Sequence, residues 1–217
     1  MFQLFGEIGL FSYIVLAVII SNIEVLKTVD VSFLGFPIAL GTIVFSSSFI
    51  AVDILTELYG PERAKKSVWL GFAATLFALL AMFLAIAMKP TIDSAGIDNA
   101  LRLIFVPMPS IFFASLISYL TSQYIDIWIF QAVKNITSGK YLWARTILAS
   151  STAAFVDNVI FSLFAWVIFA ANPASLHKLI HTYIIGTYIF RIVVIITQVP
   201  IMYFVRAMFK VRPKNAL

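Results

Sequence analysis

Residues Ser67–Met88 read SVWLGFAATLFALLAMFLAIAM, without one ionisable side chain among them. A helix that crosses the hydrocarbon of a bilayer needs about 20 consecutive apolar residues, and this stretch supplies them. Five more apolar runs of similar length occupy most of the remaining chain. The expected helices are Ile8–Leu26, Leu34–Tyr59, Ser67–Met88, Pro109–Gln131, Leu142–Ala171 and Leu179–Met208. The reading is an all-α integral membrane protein of one domain, residues 1–217, with six transmembrane helices and no soluble domain outside them. The longest connection, Lys89–Met108, is too short and too mixed in character to be one.

Composition agrees. The 217 residues are 62% hydrophobic and 12% charged, whereas a soluble domain carries about twice that share of charge. The absence of Cys excludes a disulfide framework, a thiolate zinc site and a cysteine nucleophile. His177 and His181 have the spacing of a metal pair on a helix face. No third ligand is evident beside them, so a solvated loop at a helix start is expected, with no metal. The first apolar run has no Lys or Arg before it; lacking the basic flank of a cleaved signal peptide, it is expected to be a retained helix.

Charge asymmetry sets the orientation. Arg63, Lys65, Lys66, Lys134, Lys140, Arg145, Arg206, Lys210, Arg212 and Lys214 fall on one side, and Lys27, Lys89, Arg102 and Lys178 on the other. Basic residues concentrate on the cytoplasmic side. Both termini are therefore expected in the cytoplasm, in a multi-pass protein of the inner membrane. The net charge of +5 follows from these loops and does not point to nucleic acid.

The two halves echo one another. Ser46–Asp53 resembles Ser150–Asp157, and the same offset sets Asn22-Ile23 against Asp126-Ile127; the echo fails where Arg191 meets Ala87. If it reflects a repeat, it relates half-repeats of approximately 1–105 and 106–217. With three helices each, such halves are inverted, a frequent transporter plan.

Four ionisable residues lie inside the apolar runs: Asp53, Asp126, Asp157 and Arg191. Charge in hydrocarbon is costly, and such residues usually face a polar cavity. Helical spacing gathers further polar groups beside them. Ser115, Tyr119, Ser122 and Asp126 form one stripe, with Gln123 adjacent. Ser46 and Asp53 share a face with Thr56 and Glu57, while Ser150 and Asp157 lie beside Ser151 and Asn158. Thr187, Arg191 and Gln198 make another stripe, and the first helix offers Asn22. Each has a structural alternative. Asn22 can simply link helices, Glu57 can pair with Arg63 at the interface, and Asp157 can pair with Arg191 to lower the burial cost of both. A carboxylate also accepts two parallel N–H bonds, which suits the N1–H and 2-amino edge of a guanine-type base. Gln123 or Asn158 could bond a carbonyl, and Phe or Tyr could stack on the ring. This chemistry permits a purine-like ligand without selecting one. The expected substrate-binding set is Asn22, Asp53, Gln123, Asp126, Asp157, Asn158 and Arg191. One of the acids could instead carry a coupling proton.

At these residues the chain resembles the queuosine precursor transporter family, also called the vitamin uptake transporter family. The resemblance runs through Asp53-Ile54-Leu55-Thr56-Glu57-Leu58-Tyr59-Gly60 and the basic turn Pro61–Lys66. It continues in Tyr119–Asp126 with Phe130, in Trp143-Ala144-Arg145, Ser150-Ser151-Thr152 and Asp157-Asn158, and in Arg191 followed by Pro200; Asn22 also matches. It implies import of a 7-deazaguanine base for tRNA modification: 7-cyano-7-deazaguanine, 7-aminomethyl-7-deazaguanine or queuine. Asp157-Asn158 stands where Asp-Thr is common, and Gln131 where some relatives are basic, which leaves the choice among these bases open. The expected partners are that small molecule and the lipid bilayer, without nucleic acid or cofactor; a homodimer is compatible with the sequence, which does not fix the oligomeric state. The rival is the substrate-binding subunit of an energy-coupling vitamin importer, for which Ala17-x-x-x-Ser21 could be a docking seam. An enzyme is not expected, because there is no nucleotide loop, zinc motif or convincing nucleophile–base pair.

Overall fold

The computed structural model describes residues 2–31, 36–106, 108–170 and 173–210. Helix α1 (Phe2–Glu24) is broken at Gly6, whose φ of 52° and ψ of −128° are not helical. A short antiparallel hairpin follows, β1 (Thr28–Val31) against β2 (Phe36–Ala39), with Thr28 opposite Ala39 and Val31 opposite Phe36. Helix α2 (Gly41–Tyr59) and helix α3 (Pro61–Ala87) meet at Gly60, with φ 88°. That backbone suits glycine, and Pro61 fits the first helical position because the N–H it lacks would be unpaired there.

Beyond α3, a single turn at Ile92–Ser94 leads into α4 (Ala95–Phe105) and then α5 (Met108–Ile136). Helix α6 (Leu142–Leu163) widens into a π-helical stretch, Phe164–Ile168. The one-turn α7 (Leu176–Lys178) enters a second π-helical stretch, Leu179–Gly186, which continues as α8 (Thr187–Lys210), with Pro200 inside it.

The helices pack as a bundle. α1 lies on α2 and α3, α5 runs along α6, and α8 rests on α2 and α6. In hydrocarbon, apolar side chains gain nothing by leaving lipid for one another, so close packing of small residues matters more. α6 buries Ala149, Ser150, Ala153 and Ala154, a spacing that keeps them close around one side of the helix. Gly41 serves α1 and α2 in the same way: a Cβ there would fall on the Ser21 backbone carbonyl. The outer surface shows the converse pattern. Phe77 is 73% exposed and Trp128 71% exposed, among many exposed large apolar side chains, a continuous apolar surface of the kind that contacts lipid.

Five helical segments are long and apolar enough to cross a membrane: Gly6–Glu24, Gly41–Tyr59, Pro61–Ala87, Leu142–Ile168 and Leu179–Met208. Helix α5, with 29 residues, is long enough, but its stripe of Ser, Gln and Asp keeps it outside that set. The chain is thus an all-α, multi-pass membrane protein with a small hairpin.

Several boundaries differ from expectation. The second helix starts at Gly41; Leu34 and Ala171 lie outside the described residues, and Phe36–Ala39 is strand, held by pairing with β1. Hydropathy cannot separate a short apolar strand from the start of a helix. The third helix starts at Pro61 rather than Ser67, because the charged turn that precedes the apolar run is already helical. The Lys89–Met108 connection contains α4, whose Leu101, Ile104 and Phe105 pack with Leu79, Ile86 and Phe112 of α3 and α5. Arg102 ties it to α3 through the Ile86 carbonyl, at 2.6 Å, and is itself oriented by Asp98 of the same helix, at 2.7 Å. His177 and His181, expected in a loop, are helical, with ring centroids 4.4 Å apart.

Ile97 on α4 is 67% exposed and lies on the side predicted to be extracytoplasmic. Changed to Cys in this Cys-free chain, it should react with an impermeant thiol reagent added outside cells, whereas tags on both termini should stay protected. Labelling of that residue only after the membrane is opened would reverse the orientation.

Candidate functional site

A cavity of about 620 Å³ lies at the hairpin end of the bundle. Ser21 and Asn22 of α1, Thr28, Pro37 and Ala39 of the hairpin, and Phe45 of α2 line one side. Ser115 and Ser118 of α5, Asp157, Asn158 and Phe161 of α6, Trp166 and Tyr183 of the π-helical stretches, and Thr187 and Arg191 of α8 complete the wall.

The polar centre is built on Arg191. Its Nη1 donates to Asp157 Oδ2 at 2.6 Å and to Asn158 Oδ1 at 2.7 Å. Its guanidinium carbon lies 5.2 Å from the Phe45 ring centroid and 5.3 Å from that of Phe49, so the aromatic faces supply a further favourable contact for the charge. Asp157 Oδ1 accepts the Ser122 hydroxyl at 3.3 Å, and Asn158 Nδ2 reaches the Ile184 carbonyl in the π-helical stretch at 3.5 Å. Asn22 donates its amide to the Val18 carbonyl at 2.8 Å. Trp166 and Tyr183 stack with ring centroids 5.0 Å apart and planes at 18°. Both belong to π-helical stretches, where an extra residue per turn re-aims side chains and which are frequent at functional sites.

Asn22, Asp157, Asn158 and Arg191 of the predicted set therefore meet on the cavity. Asp53, Gln123 and Asp126 do not line it. They form a second polar layer, fully buried, between the cavity and the far end of the bundle. There Asp53 of α2 lies beside Asp126 of α5. Ser150 of α6 donates to Asp53 Oδ2 at 3.4 Å, and Gln123 donates to Ser48 Oγ at 3.4 Å. The stripe on α5 divides: Ser115 reaches the cavity, Ser122 serves Asp157, and Tyr119 approaches Gly71 of α3. Gln198 of α8 donates to the Ser46 carbonyl of α2 at 2.9 Å.

A third layer closes the end that bears the termini. Glu57 of α2 meets Arg145 of α6 at 2.8 Å, Lys134 of α5 at 3.0 Å and Arg206 of α8 at 3.5 Å. Arg145 is fully buried and stacks over Phe130, 5.2 Å from its centroid. The expected Glu57–Arg63 pair is not formed. Arg63 faces Glu7 instead, at 3.3 Å, because the helical turn after Gly60 carries it toward α1. Sequence counts treated Lys134, Arg145 and Arg206 as topology signals alone and missed their convergence on one carboxylate. They also missed Trp166 and Tyr183, which carry no periodic mark in an aromatic-rich chain.

Membrane-spanning helices around a polar, aromatic-walled cavity are an arrangement that transporters share. Comparison with known proteins gives the family. Residues 39–205 match the family model described as "Putative vitamin uptake transporter". The chain is also 32% identical over 182 residues to a Bacillus subtilis (strain 168) protein called "Probable queuosine precursor transporter", covering 83% of this chain and 78% of that one. No solved structure matches. The chain belongs to the vitamin uptake transporter family.

The Glu57 cluster gives a stability prediction. Glu57→Ala leaves a buried guanidinium and two further cations facing one another. Breaking a buried ion pair by removing one partner costs about 3–5 kcal/mol, so the purified variant should show a strongly lowered melting temperature in detergent. Glu7→Ala, at the more exposed Arg63 contact, should cost about 1 kcal/mol or less. Equal melting of the two variants would remove the cluster from the account of stability.

Proposed function

We propose that this protein imports a queuosine precursor, a 7-deazaguanine-type base, across the inner membrane for use in tRNA modification. The observation that carries the reading is the cavity beside the Arg191–Asp157–Asn158 centre, faced by the Trp166–Tyr183 pair; the resemblance to the Bacillus subtilis relative supports it. A guanine-type base is planar, and its edge offers N–H donors beside a carbonyl acceptor. In this reading Asp157 accepts N–H groups, and Asn22, Asn158, Ser115 and Ser118, which line the same cavity, are neutral hydrogen-bonding partners. Aromatic side chains suit the base faces. The protein acts as a carrier rather than an enzyme, with both termini in the cytoplasm and two inverted halves moving about the midplane.

The second buried layer has a separate part in this scheme. Asp53 and Asp126 are adjacent and fully buried, with no cation in an ion pair with either among the described residues. Buried acids without a paired cation commonly serve as proton carriers in membrane transport. Of the sequence alternatives, the coupling-proton role suits this pair, and ligand contact suits Asp157.

The purified protein should gain thermal stability from a 7-deazaguanine base, by about 2.7 kcal/mol at a ligand concentration of 100 Kd. Riboflavin and biotin should give none. Protein reconstituted alone in liposomes should accumulate the base; binding without transport would favour the subunit of an energy-coupling importer.

Asp157→Asn replaces a carboxylate oxygen with an N–H₂ donor. A site built to bond a polar ligand group loses heavily when the pairing fails. Uptake should fall at least about tenfold, equivalent to about 1.4 kcal/mol. The single variant also strands Arg191. Asp157→Asn with Arg191→Gln should restore melting temperature but not uptake. A stable double variant with near-normal uptake would make the pair structural only.

A further inference from the structure

We infer that the cavity selects an uncharged base and discriminates against one that carries an ammonium group. The inference rests on the proposed transport of 7-deazaguanine bases and adds the charge class of the substrate. Among the described residues, only two side chains lining the cavity are ionic, Asp157 and Arg191. They neutralise each other, at 2.6 Å. Of the four ionisable residues inside the apolar runs, three are acids and one is a base, a surplus of negative charge. The structure removes that surplus from the ligand's reach, because Asp53 and Asp126 lie behind the wall, fully buried.

The consequence for a cationic ligand is direct. An aminomethyl substituent is an alkylamine, protonated near neutral pH as lysine is. Leaving water for a cavity without a free counter-charge costs it solvation that nothing there replaces. Asp157 could serve as counter-ion by leaving Arg191, whose side chain is 2% exposed, which would strand a buried guanidinium, or by being shared with it, which leaves one negative charge for two cations. Either would also set two cations side by side. A cyano or methyl substituent imposes neither penalty.

The test compares three bases that share one ring: 7-cyano-, 7-methyl- and 7-aminomethyl-7-deazaguanine. Each is titrated at pH 7 against the purified full chain in detergent, with affinity read by calorimetry and confirmed by competition for uptake in liposomes. The cyano and methyl bases should both bind at least about tenfold more tightly than the aminomethyl base, a difference of about 1.4 kcal/mol. Ser115→Asp, which adds a carboxylate to the wall, should then improve aminomethyl binding relative to the other two. Equal or tighter native binding of the aminomethyl base overturns the inference while leaving the transport reading intact. Binding of none of the three overturns the transport reading itself. A Ser115→Asp variant that folds and binds the neutral bases, yet gives the amine no advantage, shows that charge is not what the cavity senses and also overturns the inference.

Discussion

A guanidinium held inside a membrane bundle is the constraint around which the cavity is arranged. A charged side chain in hydrocarbon is costly, so the position of Arg191 on its helix dictates what must surround it. Asp157 and Asn158 answer from α6, at 2.6 and 2.7 Å, and Phe45 and Phe49 of α2 offer their ring faces. These contacts require α6 and α8 to lie close together, and the carbonyl of Ala154 is itself within 3.5 Å of Arg191. The run Ala149-Ser150, Ala153-Ala154 on α6 helps make that approach geometrically possible. The π-helical stretches at the same end then place Trp166 and Tyr183 around the charged centre rather than against lipid. A buried pair of this sort gives little net stability compared with an apolar replacement. Its presence beside an open cavity fits a ligand site better than a packing need.

The sequence carried the helices and the polar content but not the way the polar residues divide. Apolar runs are visible because the bilayer demands length and hydrophobicity together, and that demand is met by Pro61–Ala87 almost without interruption. The hairpin escaped because Phe36–Ala39 is apolar and short, and its strand state depends on a partner segment several residues away. Helix α4 escaped because its apolar face is narrow and interrupted by Asp98 and Arg102, which are paired with each other. The candidate site was legible as a residue list. Asn22, Asp157, Asn158 and Arg191 share the cavity, whereas Asp53, Gln123 and Asp126 are equally buried and equally polar yet sit elsewhere. Helical periodicity tells which residues share a face of one helix. It does not tell which neighbouring helix that face meets, and here the answer changes along the length of α5.

The ion cluster at the other end shows a related limit. Lys134, Arg145 and Arg206 have the distribution expected of cytoplasmic loops, and topology alone accounts for their presence. Only packing reveals that all three converge on Glu57, from three different helices. A carboxylate 8% exposed and contacted by three cations is a closure as well as a clasp, because it joins α2, α5, α6 and α8 where the cavity does not reach. The bundle is thus unlike at its two ends: a wide, aromatic-walled space by the hairpin, and a dense ionic contact by the termini.

Helix α2 joins these features through one winding face. Phe45, Phe49, Asp53 and Glu57 follow one another at steps of four. The first lines the cavity and lies under Arg191, the second also faces Arg191, the third meets Asp126, and the fourth holds the ion cluster. An α-helix turns about 100° per residue, so each step of four advances the face by about 40°. Over three steps the face swings by about a third of a turn, which brings Asp126 of α5 and Arg145 of α6 into reach as well as α8. The same four residues span about 18 Å along the axis. A tilt or rotation of α2 that loosened the Glu57 contacts would therefore also move Asp53 against Asp126 and shift the rings beneath Arg191. Alternating access requires that opening one end be linked to a change at the binding site. In the transport scheme proposed above, α2 would be that mechanical link, with the carboxyl pair midway between the two ends.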